Sequence, residues 1–218
     1  MLPDPLRLTI ALVPLASYSL LIGLLNARRR PFVTTGAADL AALGTALSGL
    51  ILVGPIELFR PEAASAEYGR FVWIFMLVFY WLCVLLTVLL AKPRLVVYNI
   101  SIDELRPVLA ETARSIDAQA RWAGDSLSMP TLGVQLHLQS FDLMRNVSLV
   151  SSGDIQDLVS WRKLGSELYQ RLLPLRVSPN PRALGILLAA LVLLAASTAH
   201  MLANPQHVAQ AMREIFTY

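Results

Sequence analysis

Charged residues are scarce in this sequence. They make up 15% of the 218 residues, and 56% of the residues are hydrophobic. A soluble globular domain has about a quarter of its residues charged. The mean hydropathy of +0.57 agrees with this contrast. The composition predicts a membrane protein with room for a few spanning helices and one small water-facing domain, and it excludes a many-helix transporter.

Cysteine and histidine are also scarce, with one and three residues respectively. Cys83 therefore has no partner for an intrachain disulfide and is expected to pack as a small apolar side chain. Metal centres need several thiolate, imidazole or carboxylate ligands at suitable spacing, which the sequence does not offer. A Gly-x-Ser-x-Gly motif and a glycine-rich phosphate loop are missing as well. The sequence predicts a protein without a metal, a cofactor or enzymatic activity.

Long apolar runs are what the sequence has in abundance. A bilayer core of about 30 Å needs a helix of roughly 20 residues. The third run is the most secure because it carries no charge, and the second is the weakest because it contains three glycines and Pro55. Four transmembrane helices are predicted, at 6–26, 37–58, 71–91 and 183–203.

Basic residues flank these segments unequally. Arg28–Arg30 follow the first segment, and further basic residues follow the third and precede the fourth. The positive-inside rule then places 27–36 and 92–182 in the cytoplasm and both termini outside the cell, in a plasma membrane that we take to be a bacterial inner membrane. A cleavable signal peptide is the alternative for the first segment. The arginines follow the apolar run rather than precede it, which favours a retained helix.

The segment between the third and fourth spans changes character. Ser101 and Glu104 have the spacing of a capping box and precede apolar residues at helical intervals. Val134, Leu136 and Leu138 alternate with polar residues, as in a strand with one wet face. The predicted elements are, in chain order, a strand at 95–100, a helix at 102–116, strands at 120–129 (bulged at 124–125), 134–139 and 147–149, and a helix that begins after a cap at 152–154 and reaches residue 172.

This order predicts the fold class: an α-helical membrane protein with a small cytoplasmic α+β domain (β-α-β-β-β-α) inserted between the third and fourth spans. In element order alone it resembles ferredoxin-like architecture. The predicted domains are a three-helix transmembrane region at 1–93, the cytoplasmic domain at 94–181, and the fourth span with an extracytoplasmic tail at 182–218. Residues 95–182 contain nine basic and nine acidic side chains, which argues against a nucleic-acid partner.

Polar side chains on the predicted wet sheet face are the candidate site. Uncharged polar groups on strands suit recognition of another protein, and they equally suit a plain solvated face. The expected partners are the lipid bilayer and either another protein or a second copy of this chain. The candidate interaction residues are Arg121, Gln135, His137, Gln139 and Ser148.

Two acidic residues lie at the ends of the second predicted span. Asp39 is at its inner end and Glu57 at its outer end, and buried acids in spans can mark ion paths. Acids at such positions more often complement a helix start or contact water. The main hypothesis is therefore a non-enzymatic, multi-pass membrane protein that displays its α+β domain for protein assembly or scaffolding. The alternative is a small transport or channel subunit that uses Asp39 and Glu57.

Overall fold

The computed structural model describes residues 4–56, 71–153 and 156–217. Within these ranges, four helices are long and apolar enough to cross a membrane, as the sequence predicts. The chain divides into two compact units, each described here by itself. The helical unit comprises Met1–Leu21, Leu40–Leu89 and Gly185–Tyr218, and the sheet unit comprises Ile22–Asp39 and Leu90–Leu184.

Seven α-helices are described. Their bounds are α1 Pro5–Ala27, α2 Gly36–Ile51, α3 Phe71–Leu90, α4 Ile102–Ile116, α5 Leu158–Leu172, α6 Ala183–Ala203 and α7 Pro205–Thr217. A π-helical turn over Leu52–Ile56 continues α2, and Glu57 lies outside the described residues. The spans are α1, α2 with part of this turn, α3 and α6.

Small residues make the close contacts within the helical unit. Ala16 in α1 and Ala46 in α2 are buried, and a Cβ at Gly49 would collide with the carbonyl oxygen of Ile10. The α1 and α2 backbones therefore approach each other closely, as membrane helices do where small residues face each other. The Tyr80 hydroxyl in α3 donates a hydrogen bond to the carbonyl oxygen of Gly44, at 2.5 Å. This bond joins α3 to α2.

The sheet unit contains one antiparallel sheet of six strands in the order β1-β2-β6-β5-β4-β3. The strands are β1 Phe32–Thr35, β2 Arg94–Tyr98, β3 Arg121–Ala123, β4 Ser126–Met129, β5 Val134–Phe141 and β6 Asn146–Ser151. Strand β1 comes from the segment between the first two spans and pairs with β2 along the edge of the sheet. The sequence predicted only a cytoplasmic loop there. The pairing covers an edge of β2 that would otherwise present unpaired backbone groups.

The prediction of a single bulged strand over 120–129 is wrong. This segment forms the β3–β4 hairpin, with Arg121 opposite Ser128 and Ala123 opposite Ser126. Gly124 and Asp125 form its two-residue turn, in which Gly124 has a φ of +62°. A glycine with positive φ fits the tight turns that connect hairpin strands. The sheet unit therefore has one more strand after α4 than the sequence analysis predicted.

Helices α4 and α5 cover one face of the sheet. Alternate residues of the strands, such as Val97, Leu136 and Leu149, are almost fully buried under Leu109 of α4 and Leu164 of α5. The spacing of apolar residues in both helices matches one buried stripe each. This face contains the main hydrophobic core of the sheet unit.

The capping box predicted at the start of α4 is confirmed. The Ser101 side chain accepts from the Glu104 backbone, and the Glu104 carboxylate accepts from the Ser101 backbone. Burial alone would raise the pKa of Glu104, but hydrogen bonds from Ser101 and the nearby Arg145 guanidinium lower it below its usual value.

Helix α5 begins later than predicted. Its N-cap is Asp157, whose carboxylate accepts from the backbone of Val159 and Ser160. Bonds from the Ser160 hydroxyl and these backbone groups hold the pKa of Asp157 below its usual value. Asp157 lies directly before the helical residues and can reach the free N–H groups of the first turn. The prediction of a cap within 152–154 is therefore wrong, although residues 154 and 155 lie outside the described ranges.

Candidate interaction face of the sheet

One face of the sheet is left uncovered by α4 and α5 over strands β3 to β6. We call it the open face. Residues directly opposite each other on paired strands share a face, and alternate residues along a strand do as well. The register therefore places eleven residues on the open face: Arg121, Ala123, Ser126, Ser128, Gln135, His137, Gln139, Phe141, Asn146, Ser148 and Val150.

All five predicted interaction residues belong to this set. Arg121 lies opposite Ser128, which lies opposite Gln135 on the next strand. Gln139 lies opposite Ser148. The structure thus brings the five residues together on one face, on strands β3, β5 and β6. Alternation of polar and apolar residues predicted this because the apolar positions are buried under the helices.

The open face presents mainly neutral hydrogen-bonding groups. Arg121, Gln135 and Gln139 are exposed, whereas His137 and Ser148 are partly buried. The face has one guanidinium group, and no carboxylate belongs to the eleven residues that define it. It can therefore donate and accept hydrogen bonds with a polar partner, and Arg121 favours an acidic group on that partner.

Ser126 is a member of the open face that sequence reasoning missed. Its hydroxyl oxygen lies 3.3 Å from Nδ1 of His137 on the neighbouring strand. A hydroxyl beside an imidazole supplies two of the three groups of a nucleophilic triad. The third is a group that orients the imidazole. In the part of the chain that the structure describes, the His137 imidazole forms no other hydrogen bond. The irregular pattern around Gly124 predicts a single bulged strand, which does not place Ser126 on this face.

Gln156 extends the polar surface at one border of the open face. Its Oε1 accepts from the backbone N–H of Gln135 at 3.3 Å and from the Trp161 indole at 2.9 Å. Its Nε2 donates to the carbonyl oxygen of Ser152 at 2.8 Å. These bonds hold Gln156 against the beginning of β5 and the first turns of α5.

The same side of the sheet is covered where it reaches β2. Val96 lies opposite Ser148, and Tyr98 lies opposite Asn146. Both Val96 and Tyr98 are buried in a second, smaller hydrophobic cluster with Leu25 and Ile22, which belong to the last turns of α1. The end of α1 thus covers the β2 part of this side and leaves β3 to β6 uncovered.

Asp39 lies in the first turn of α2 and is bonded to β2. Its carboxylate forms an ion pair with Arg94, with Nη2 and Oδ2 separated by 2.9 Å, and it also accepts a hydrogen bond from the Tyr98 hydroxyl. A Cβ at Gly36 would collide with the Arg94 side chain, so this glycine lets Arg94 pass close to the helix start. The arrangement attaches the beginning of α2 to the sheet. Glu57, the second acidic candidate, lies outside the described residues.

Three buried asparagines form a junction that the sequence analysis missed; we call Asn26, Asn99 and Asn180 the asparagine junction. The Asn180 amide donates to Oδ1 of Asn26 at 3.3 Å, and the Asn99 amide donates to the carbonyl oxygen of Arg28 at 2.5 Å. Asn99 has a positive φ of 57°, a conformation that asparagine tolerates better than most residues. An asparagine directly after strand β2 is the sequence signal that indicates this conformation. The junction connects the chain leaving α1 with the chain entering α6.

A shallow groove lies between α4 and the β3–β4 hairpin. It has a volume of about 350 Å³ and is lined by Asp103, Arg106, Pro107, Ala110 and Trp122. The Arg106 guanidinium lies 5.5 Å from the centre of the Trp122 ring and pairs with Asp125. Arg106 is thus already paired within the protein, and Asp103 is the other charged residue of the lining.

The described residues contain no cluster of three or more histidine, cysteine, aspartate or glutamate side chains that could hold a metal ion. Comparisons of the chain with protein-family models, with curated proteins and with solved structures find no match. The fold and the surface chemistry are therefore the basis for a function.

Proposed function

We propose that this membrane protein is a non-enzymatic assembly module whose open face binds another protein. One observation carries the proposal: the polar residues of four strands lie together on a sheet face that the unit's own helices leave uncovered. A sheet whose two helices both cover one face keeps the other available for contact. The bound protein is a second chain of different sequence or a second copy of this chain.

The position of the open face supports a partner that is itself at the membrane. The last turns of α1 pack on the same side of the sheet, against Val96 and Tyr98. A protein bound to the open face therefore meets the side of the sheet unit on which a membrane span ends. We infer that the partner is a membrane protein or a protein held at the membrane surface.

The transport alternative receives less support. Asp39 is engaged by Arg94 and Tyr98, so its charge is already compensated within the sheet unit. An ion-coupling carboxylate has to be available to the transported ion. The alternative then depends on Glu57 alone, and replacing it by glutamine in liposome flux measurements is the direct test.

The proposed orientation has the sheet unit in the cytoplasm of a bacterial inner membrane and both termini outside. The exposed arginines at 28–30 support it through the positive-inside rule. Single cysteines at Arg30, Ser140 and Gln210 in a Cys83→Ser background test the orientation with a membrane-impermeant thiol reagent. Labelling of intact cells at position 210 and not at 30 or 140 is expected. Labelling at 140 from outside would reject the orientation.

Binding to the open face is tested by purification in mild detergent through a tag at the C-terminus. A stoichiometric protein companion, or a stable homo-oligomer, is the expected result. The variant Gln135→Glu with Gln139→Glu introduces two negative charges on the open face and should remove the companion. The matched control, Ser166→Glu with Gln170→Glu, adds the same two negative charges to exposed residues of α5 and should retain it. Equal recovery with both variants would exclude the open face as the binding site.

A further inference from the structure

The turn between β5 and β6 exposes apolar side chains. Phe141 and Leu143 are 54% and 53% exposed, in a unit whose core leucines are almost fully buried. The turn itself is held by backbone bonds from Met144 to the carbonyl oxygen of Phe141 and from Arg145 to that of Asp142. Two large apolar side chains at the tip of an ordered hairpin suggest a contact with an apolar surface.

This turn lies where the chain enters the fourth span. Nη1 of Arg182 donates to the carbonyl oxygen of Leu143 at 3.3 Å, and Ala183 is the first residue of α6. Arg145 follows the turn and donates to the carbonyl oxygen and the hydroxyl of Ser178, each at 3.0 Å. A residue directly before a membrane span lies at the depth of the lipid headgroups. Leu143 is bonded to such a residue through its carbonyl oxygen.

The residues at the end of the first span are hydrogen-bonded to the residues that precede the fourth span. The backbone N–H of Asn180 donates to the carbonyl oxygen of Asn26, and that of Val177 to the carbonyl oxygen of Arg29, both at 3.0 Å. The two chain segments that flank α1 and α6 therefore run side by side. They bring together five exposed arginines: Arg28, Arg29, Arg30, Arg176 and Arg182.

The charge of these arginines is not neutralised within the described protein. None of the five forms an ion pair with a carboxylate in the described ranges. By contrast, Arg145 is paired with Glu104 at 2.8 Å. Asp142, in the turn, contributes a single negative charge to the surface. The net charge of this surface is therefore positive, and the arginines that carry it are exposed.

We propose that the five arginines and the turn at 141–144, together called the arginine–turn surface, bind anionic phospholipid in the leaflet where α1 ends and α6 begins. Arginine matches phosphate geometry through paired N–H donors, and an anionic leaflet attracts basic segments beside a span. Phe141 and Leu143 enter the boundary between headgroups and acyl chains, where aromatic and apolar side chains are stable. The bilayer is the occupant because Arg28 directly follows one candidate span and Arg182 directly precedes another.

Depth measurements test the apolar half of this surface. The full chain, with Cys83 replaced by serine, receives one spin label at Leu143→Cys or, as a control on the exposed side of α5, at Lys163→Cys. In vesicles that contain phosphatidylglycerol, the label at 143 should collide more with oxygen than with a water-soluble nickel complex, by several-fold relative to 163. Equal nickel access at both positions would overturn the proposal. Immobilisation of the label at 143 in lipid-free detergent would instead indicate a protein contact and also reject it.

Lipid retention tests the arginine half. Arg176→Gln with Arg182→Gln should lower the number of phosphatidylglycerol molecules retained in native mass spectra and leave the retention of phosphatidylcholine unchanged. Arg28–Arg30 stay in place in this variant, so the feature that orients the first span is kept. Arg162→Gln with Lys163→Gln removes the same charge from α5 and should retain wild-type lipid. Equal losses in both pairs would show a general charge effect and refute a specific surface.

Discussion

The helical unit and the sheet unit bury opposite kinds of side chain. In the helical unit the most buried residues include Ala16, Ala46 and Ala190, while Leu89 and Phe79 are 71% and 64% exposed. In the sheet unit, large aliphatic side chains such as Leu109 and Leu164 are fully buried. Lipid tails are as apolar as leucine, so a membrane unit gains nothing by hiding its leucines and packs through small residues. In contact with water, a unit is instead stabilised by burying its large apolar side chains.

The largest expected effect concerns the core of the sheet unit. Leu109→Ala removes a fully buried side chain and should lower the free energy of unfolding by about 3 kcal/mol through lost burial and a cavity. Leu89→Ala, the matched change on the exposed surface of α3, should cost far less in detergent or lipid. Urea titration of the full chain in detergent measures both, because tryptophans in each unit report its unfolding by fluorescence. Similar losses at the two positions would contradict the contrast between the units.

The next effect concerns the small-residue packing in the helical unit. Gly49→Leu places a side chain against the carbonyl oxygen of Ile10 and should destabilise this unit by about 1–3 kcal/mol through overpacking. Gly185→Leu is the control, because a Cβ there meets no atom within 4 Å. Thermal unfolding in detergent, monitored by size-exclusion chromatography, distinguishes them. An unchanged midpoint for Gly49→Leu would mean that α1 and α2 do not pack closely.

A smaller effect is the acid sensitivity of the sheet unit. Burial alone would raise the pKa of Asp117, but bonds from Gln119, Thr131 and Leu132 lower it below its usual value. A carboxyl with a lowered folded-state pKa stabilises the protein above its usual pKa, and this stability is lost as the pH falls through the usual value toward the lower one. The melting temperature should therefore fall in acid, and less steeply in Asp117→Asn. Melting curves between neutral pH and about pH 3 provide the measurement.

The smallest effect is expected on the open face. Gln135→Ala and Gln139→Ala should each change the free energy of unfolding by less than about 0.5 kcal/mol, because both side chains are exposed. The same urea titration is the check. A large loss at either position would show that the residue serves the fold, and it would then be a poor candidate for binding a partner.

Local signals predicted much of this structure. The bonds between Ser101 and Glu104 require only four consecutive residues, and the capping box is confirmed. The apolar runs and the alternation along β5 are local as well. These features depend on chain periodicity and short-range hydrogen bonds, which a single sequence displays directly.

Features that depend on distant partners were missed. Phe32–Thr35 is too short to identify as a strand, and its pairing with β2 joins segments about sixty residues apart. The asparagine junction likewise joins three separate segments. Gly124 and Asp125 are typical of a tight turn, whereas the prediction from the sequence is a bulge. The five candidate residues lie on one face of the sheet, as their alternation predicts, but the prediction omits Ser126 because it omits that hairpin.

Strand β1 has a consequence for how the protein is made. It emerges from the ribosome before β2 does and has no sheet to join until the third span and the following strand have been synthesised. The nascent chain must therefore keep this short segment beside the membrane, available for late pairing. A contiguous fragment that begins at β2 lacks β1 and leaves the backbone groups along one edge of β2 without their partner. Such a fragment is expected to aggregate during expression, and fusing residues 28–36 to it through a flexible linker offers a route to a soluble form.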